Sequence, residues 1–505
     1  MTFLPLILRR FVAAPVVICA TMGVAPPTTM AQSGATDMPP VLEGPPVLEG
    51  SPNALDVVPD VPGVGTSGEP DGETRQGAGT VAHQPSLRAL IPFRLSVGGS
   101  LALNAYRNPV VPTSRAEPDW TQRFDLRMSG HPSVTDRLGV LANLRLRTSM
   151  ADNSDYAIDR NSHLDIQELA VDYRLTDWLT VEAGRINVRN GVATGFNPTD
   201  WFKNDSLVVA DSFDVVDRRE DRLGVLVAQA ALHTDDLVLI AGWRPGLDTS
   251  SGTWLTDADV IGQGFDRTNS TDAGYLKLTP VGWENISSTI NLFYEEDQPG
   301  VGAEVSGVVS ESLVLFAEWF GQWRHSIVDE SNRSGALPKA VASNLGATGQ
   351  RAFLNQVALG LTWSPPTDWV GTEDISLTAE YHYNQAGLSG EELDAWFDAG
   401  VSGAAAPGAL WSIRALASTR QEPLSQHQVF VRLTYNDIVD DVNLSAITFV
   451  SPVDASVLSE VSLDAEVFTN GQISLSVFAA AGPERSVFGS LSNNSGCKLS
   501  VSYSF

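Results

Sequence analysis

From about residue 91 to its end the chain is written in segments of roughly ten residues in which apolar and polar side chains alternate. Eighteen can be counted: about 91–105, 119–130, 138–148, 163–175, 178–189, 222–232, 236–245, 272–280, 284–295, 301–309, 312–325, 352–364, 373–385, 425–436, 441–451, 456–468, 471–480 and 496–505. Alternation with period two describes a strand with two unlike faces. Roughly ten residues is also what a tilted strand needs to cross a bilayer.

The connections alternate as well. Short turns fall at Thr176-Asp177, His233-Thr234-Asp235, Glu311, Pro365-Pro366-Thr367-Asp368 and Asn470-Gly471, and between them lie long loops such as 190–221, 246–271, 326–351 and 386–424. A β-sandwich can produce alternating faces but has no reason to alternate its loops. An up-and-down barrel has one: short turns gather at the periplasmic rim, long loops at the outer rim, and an even count returns the chain to the side it entered from. The expected fold is therefore all-β, an 18-stranded antiparallel up-and-down transmembrane β-barrel over 91–505.

The faces agree with that reading. Leu138, Val140, Ala142, Leu144 and Leu146 share one side of their segment, opposite Asn143, Arg145 and Arg147. Leu313, Leu315, Ala317, Trp319 and Trp323 oppose Glu318, Gln322 and Arg324; Ile375, Leu377, Ala379, Tyr381 and Tyr383 oppose Thr378, Glu380, His382 and Asn384. The apolar sides end in aromatics, as an interfacial girdle would. In the last segment Leu499, Val501, Tyr503 and Phe505 oppose Lys498, Ser500, Ser502 and Ser504. The parity slips near Gln167-Glu168 and Gly184-Arg185, and both slips are read as β-bulges.

Ahead of the barrel, residues 1–31 have the pattern of an export signal: Arg9 and Arg10, an apolar core from Phe11 to Val24, and small residues at Thr29-Met30-Ala31. Residues 32–90 are rich in Pro, Gly and Ser, repeat the hexapeptide Pro-Pro-Val-Leu-Glu-Gly at 39–44 and 45–50, and offer too little apolar surface to fold, so a disordered periplasmic linker is expected. No later run of about 18 apolar residues predicts a membrane helix. Cys19 lies in the signal, which leaves Cys497 without an intramolecular partner. A formal charge of −28 excludes a general nucleic-acid binder.

The third long connection holds Phe196, Asn197, Asp200, Trp201 and Phe202, three aromatics that do not belong in free solution beside an Asn-Pro-Thr-Asp turn signal. It is expected to constrict the lumen, the alternative being a plug that stiffens the barrel. Lumen faces of the second to fifth strands carry Arg123, Arg127, Arg145, Arg147, Arg174, Arg185 and Arg189, with Asp125, Glu168, Asp172 and Glu182 beside them. Later lumen faces are acidic, with Glu295, Glu318, Glu380, Glu460, Asp464 and Glu466. A basic wall facing an acidic one sets a transverse field across a pore, and guanidinium groups suit carboxylate or phosphate solutes. The competing reading is a ladder of Arg–carboxylate pairs that neutralises itself.

No enzyme is expected. Gly-x-Ser-x-Gly is absent, and His382 with Asn384 lacks a serine motif to complete a triad. His83, His131, His163 and His233 are scattered, so neither a metal nor another cofactor is expected.

The eighteen strands, with Gly184-Arg185 and Asn190-Gly191 leading into Asn197-Pro198-Thr199-Asp200, resemble the Gram-negative outer-membrane porin superfamily, and within it the alginate-export-like barrels. The resemblance implies a third loop folded into the lumen and, for the narrower family, passage of an anionic polysaccharide past Arg145, Arg147, Arg185 and Arg189. The acidic wall departs from that pattern, which leaves a general porin as the broader expectation. A final aromatic such as Phe505 resembles the terminal signature read by the barrel assembly machinery. Implied partners are that machinery, outer-membrane lipid and lipopolysaccharide, and small hydrophilic or anionic solutes, with the oligomeric state left open. The alternatives are an exopolysaccharide export barrel, a surface enzyme, or a plugged structural barrel without channel activity.

Overall fold

The structure, a computed structural model, describes residues 93–113, 118–207, 212–256, 260–283, 285–366, 374–439 and 441–505. The expected signal (1–31) and linker (32–90) lie outside the described residues.

Eighteen strands form the wall: β1 Arg94–Tyr106, β2 Trp120–Gly130, β3 Leu138–Ala151, β4 Ser162–Thr176, β5 Leu179–Ile186, β6 Val225–His233, β7 Leu237–Arg244, β8 Ala273–Pro280, β9 Ile286–Glu295, β10 Gln298–Ser310, β11 Leu313–Arg324, β12 Ala352–Trp363, β13 Ile375–Asn384, β14 His427–Val439, β15 Val442–Ser451, β16 Ser456–Phe468, β17 Gly471–Ala481 and β18 Asn493–Ser504. Each expected segment has its strand. A three-residue strand, Ser133–Thr135, decorates the β2–β3 turn and pairs with the start of β3. Every neighbouring pair is antiparallel, and β18 closes on β1 from Ser96↔Ser504 to Tyr106↔Asn493. The last residue completes the seam, since the Phe505 N–H donates to the Leu95 carbonyl at 2.8 Å. Closure leaves no edge strand, so the ladder satisfies the wall's backbone groups without water.

Leu146, Leu292, Leu359, Leu499 and Val501 lie on the outside and are exposed, as are Trp243, Tyr294, Trp323 and Tyr381 toward the long-loop rim and Trp178, Trp283, Phe468 and Phe505 toward the short-turn rim. Such a band of aliphatics between two aromatic girdles is the surface of a membrane-spanning barrel. The loop rhythm has two exceptions. Glu296 and Asp297 join β9 to β10 in a two-residue turn at the long-loop rim, both with positive φ as a type I′ turn requires. Residues 452–455 join β15 to β16 in a four-residue turn at the same rim.

Of the two parity slips, one is a bulge. Against β3 the partners run Asn143↔Glu168 and then Leu144↔Ile166, which leaves Gln167 as the extra residue. At Gly184-Arg185 the register continues unbroken on both sides. There the backbone turns at Gly184, with φ at +142°, and an added Cβ would lie 2.3 Å from the Leu169 carbonyl oxygen.

An outward position near mid-strand should reject charge more strongly than one near the rim. Leu359→Arg is expected to destabilise the barrel by about 2–4 kcal/mol, and Val309→Arg, beside a short turn, by about 1 kcal/mol or less. Denaturant titration of the protein folded into lipid vesicles measures both.

Candidate functional site

Where β5 ends, the chain turns into the barrel, and the connection 187–224 crosses the lumen to the opposite wall. A backbone segment in such a place brings N–H groups that need partners. Two glutamates supply them. Glu318 on β11 accepts from the N–H groups of Val192 at 3.0 Å, Ala193 at 3.1 Å and Thr199 at 2.7 Å. Glu380 on β13 accepts from Thr194 at 2.6 Å, Gly195 at 2.8 Å and His382 Nε2 at 2.7 Å. Thr199 Oγ1 donates on to Glu318 and to Glu304 on β10, at 2.8 and 3.0 Å. The approach is so close that Gly191 takes φ +89°, and a Cβ there would lie 2.6 Å from a Glu318 oxygen.

Glu318 and Glu380, expected on an acidic pore wall, are thus buried beneath the loop and hold it. Glu460 on β16 does the same further along, accepting from Phe213 N and Ser212 Oγ, each at 3.0 Å.

The loop's aromatics dock on aromatic lumen faces. Trp201 stacks on Phe293 with centroids 4.9 Å apart and leans on Tyr275 and Phe320; Phe202 meets Tyr275 and Phe293 edge-on. Phe196 packs edge-on against His382 and lies under the Lys203 ammonium, 4.4 Å from its ring centre. In the Asn-Pro-Thr-Asp turn, Asp200 N donates to Asn197 O at 3.3 Å. The side chains act differently from a simple turn signal, however. Asn197 Nδ2 donates to the Ala193 carbonyl, and the Asp200 carboxylate pairs with Arg222.

The connection 385–426, read from sequence only as a long loop, holds two helices that fill the outer half of the lumen. The first, α1 (Gly390–Val401), starts at a capping box between Ser389 and Glu392; the second, α2 (Pro407–Thr419), starts on its proline. Trp396, Phe397, Leu410 and Ile413 form an apolar core with Phe430, Ile447, Phe449 and Leu458 from the lumen faces of β14 to β16. The two loops are stitched together, since Gln421 Nε2 donates to Lys203 O at 2.6 Å and Arg222 donates to Gln421 Oε1 at 3.1 Å; Glu422 ties the second loop to the wall, receiving both terminal nitrogens of Arg324 on β11 at 2.7 and 2.9 Å. Burial alone would raise the Glu422 carboxyl, but Arg324, Arg420 and Lys203 bring it down to about 2.

The seven arginines do not form one wall. Arg145 is buried and donates Nε and Nη2 to Asp125 at 2.7 and 2.6 Å. Arg147 pairs with Asp165 at 2.8 Å, an acid the sequence reading passed over. Arg174 is exposed at the short-turn rim beside the His131–Asp172 contact. Arg189, on the loop, lies 4.0 Å from Glu220. Arg185, expected in the lumen, is in register with outward-facing Leu169 instead. There it donates to Gly224 O and Gln263 Oε1, at 2.9 and 3.2 Å, and covers Phe265. Arg123 and Arg127 are half-buried on the lumen face of β2, and part of the lumen against β1 and β2 stays open.

That open remainder is a cavity of about 750 Å³ against β1, β2, β17 and β18, lined by Asn104, Tyr106, Phe213, Trp411, Arg414 and Lys498 among others. Below it, small residues face one another along the seam, with Gly98↔Ser502 and Ser100↔Ser500 in register and Arg123 beside Ser100. His382 and Asn384, weighed above for a triad, are both fully buried, and Asn384 Nδ2 is committed to the Pro423 carbonyl at 3.0 Å. Among the described residues no group of three or more His, Cys, Asp or Glu is placed to hold a metal.

No family model and no curated protein matches the chain. Among solved structures it is similar to OccK5 (OpdH) of Pseudomonas aeruginosa, at 12% identity and a TM-score of 0.45, over 82% of this chain and 97% of that one. It is also similar to OccK2 (OpdF) of the same organism in complex with glucuronate, at 10% identity and a TM-score of 0.46, over 82% and 97%. A third is OpdK with vanillate, at 10% and 0.44, over 82% and 98%. The resemblance to alginate-export-like barrels gains no support from any of these findings.

Removing either gripping glutamate strands buried N–H groups, each costing about 1–3 kcal/mol. Glu318→Ala and Glu380→Ala should therefore leave the barrel folded and heat-modifiable on gels but loosen 187–224. The expected result is trypsin cleavage at Lys203 or Arg222 at least about tenfold faster than in the wild type, read by mass spectrometry; equal rates would show that the grip is dispensable.

Proposed function

We propose that the chain is a bacterial outer-membrane channel that passes small hydrophilic solutes, anionic ones included, along the seam between β17, β18, β1 and β2. The carrying observation is the opening of about 750 Å³ left there, with Lys498 and Arg414 on its lining. Phe213 and the loop that bears it narrow the lumen at that point, while Phe196, Trp201 and Phe202 hold the loop in place from behind. Arg123 and Arg127 attract anions as they pass. Arg145 and Arg147 act through their carboxylate partners, shaping the wall more than the current.

A polysaccharide strand would need a wider path than the packed loops leave, so the export reading is not favoured. One observation favours a second reading, a plugged structural barrel: the apolar core that 385–426 builds inside the lumen. Phe505, exposed at the short-turn rim, is the assembly signal in this proposal, and outer-membrane lipid and lipopolysaccharide cover the apolar band.

Planar-bilayer conductance decides between channel and plug. With Cys497→Ser as background, Ser100→Cys should conduct like the wild type and lose most of its current on addition of a charged methanethiosulfonate; no wild-type current would sink the channel reading. Deletion of Phe505 should lower the yield of heat-modifiable barrel in cells severalfold, without preventing folding of purified protein in detergent.

A further inference from the structure

The tandem hexapeptide at 39–50 sits in a stretch with one sign of charge: residues 32–74 hold eight Asp or Glu and no Lys or Arg. That stretch is tied to the barrel at the start of β1, on the short-turn rim, so the chain joins the wall at the mouth of the seam. The seam itself carries cations. Arg94 is on the inner face of β1, and Arg127, Arg123 and Lys498 are in register with Ser96, Ser100 and Ala102 of the same strand. Arg94 is exposed and the other three are half-buried; Lys498, the farthest from that rim, lines the cavity of about 750 Å³. Asp125, between the two arginines of β2, is paired with Arg145 at 2.6 Å, and Asp464, across β17 on β16, accepts from Ser474.

We propose that residues 37–50 are a tethered blocker of the passage. They enter from the short-turn rim and lie along the seam, Glu49 beside Arg127 and Glu43, farther from the tether, beside Lys498. The spacing suits this. The two glutamates are six residues apart, about 19 Å in an extended proline-rich run. Arg127 and Lys498 are matched to Ser96 and Ala102, also six residues apart, about 20 Å along the strand. The repeat thus presents two carboxylates at the interval at which the seam presents two cations. Between those cations Gly98, Ser100, Ser500 and Ser502 are small and leave room for a peptide. The proposal rests on the channel reading above.

The tether is long enough. Residues 50–93 separate Glu49 from Arg94, and a random coil of that length spans about 35 Å on average. From Arg94 to Ala102, the position of Lys498, is eight residues of strand, about 26 Å. A tether of this kind holds its end at the mouth at an effective concentration on the order of several millimolar. Single ion pairs in contact with water are weak and screened by salt, so the block is reversible and depends on ionic strength.

Planar-bilayer recordings in 0.1 M KCl test this on the full-length protein and on a variant lacking residues 32–74. The wild type should show closures that the deletion lacks, and the mean current per channel should be about threefold or more higher in the deletion. Glu43→Gln combined with Glu49→Gln should behave like the deletion. In 1 M KCl, where screening acts within about 3 Å, all three should reach the same open probability. A synthetic peptide of residues 37–50 at about 10 mM should close the deletion variant again from one side of the bilayer, and its Gln-substituted form should not. If the deletion or the double substitution carries the wild-type mean current in 0.1 M KCl, the inference fails while the channel stands. If neither the wild type nor the deletion conducts in either salt, the channel reading and the inference fall together.

Discussion

A buried backbone N–H must find an acceptor, and this one requirement shapes both the wall and what lies inside it. In the wall the ladder meets it eighteen times over, and closure of β18 on β1 removes the edge where it would fail. Inside, the segment 192–199 has no strand to pair with. Glu318 and Glu380 take the place of a ladder partner, each receiving two consecutive N–H groups. A carboxylate suits the task because it accepts at several lone pairs and binds N–H donors more strongly than a neutral oxygen does. Without these two side chains the loop could not lie where it lies.

That use of charge changes what the lumen can do. Carboxylates committed to backbone N–H groups contribute little field to a passing solute, and Arg145 and Arg147 are neutralised by Asp125 and Asp165. The electrostatics available for transport are those left facing water, on the far side of the loop from the anchoring glutamates. Most of the acidic and basic side chains on the inner faces are turned toward protein.

The strands were legible because period-two alternation records the environment of every second residue. Interior placements depended on carrying that parity correctly through two slips. At Gln167 the bulge is real, and following it upward would have put Asp165 on the lumen face, opposite Arg145 and within reach of Arg147. At Gly184 there is no bulge, and assuming one turned Arg185 inward when its register with Leu169 turns it outward. The direction of Glu318 and Glu380 could be read from sequence; their partners could not, because a loop over a hundred residues distant in the chain leaves no mark in the local pattern. The helices of 385–426 did leave one. Leu393, Trp396 and Phe397, then Leu410, Ile413 and Ala417, recur at helical spacing, and the Ser389/Glu392 capping signal precedes the first set.

The position of the opening follows from side-chain size. Loops that enter a barrel are stabilised by burying apolar groups against its inner wall, so they settle where that wall offers large ones. Phe293, Phe316 and Phe320 on one arc, and Phe430, Phe449 and Leu458 on the next, supply that surface. Along β1 and β18 the seam supplies little of it: Phe478 on β17 meets Phe213 of the inward loop, but Gly98, Ser100, Ser500 and Ser502 are too small to grip a loop and polar enough to hold water. Lumen-filling loops therefore collect on β8 to β16 and leave the meeting place of the first and last strands open. In the proposed channel the small hydroxyls opposite the lipid-facing residues of the final strand, which serve as spacers in the wall, would also line the passage.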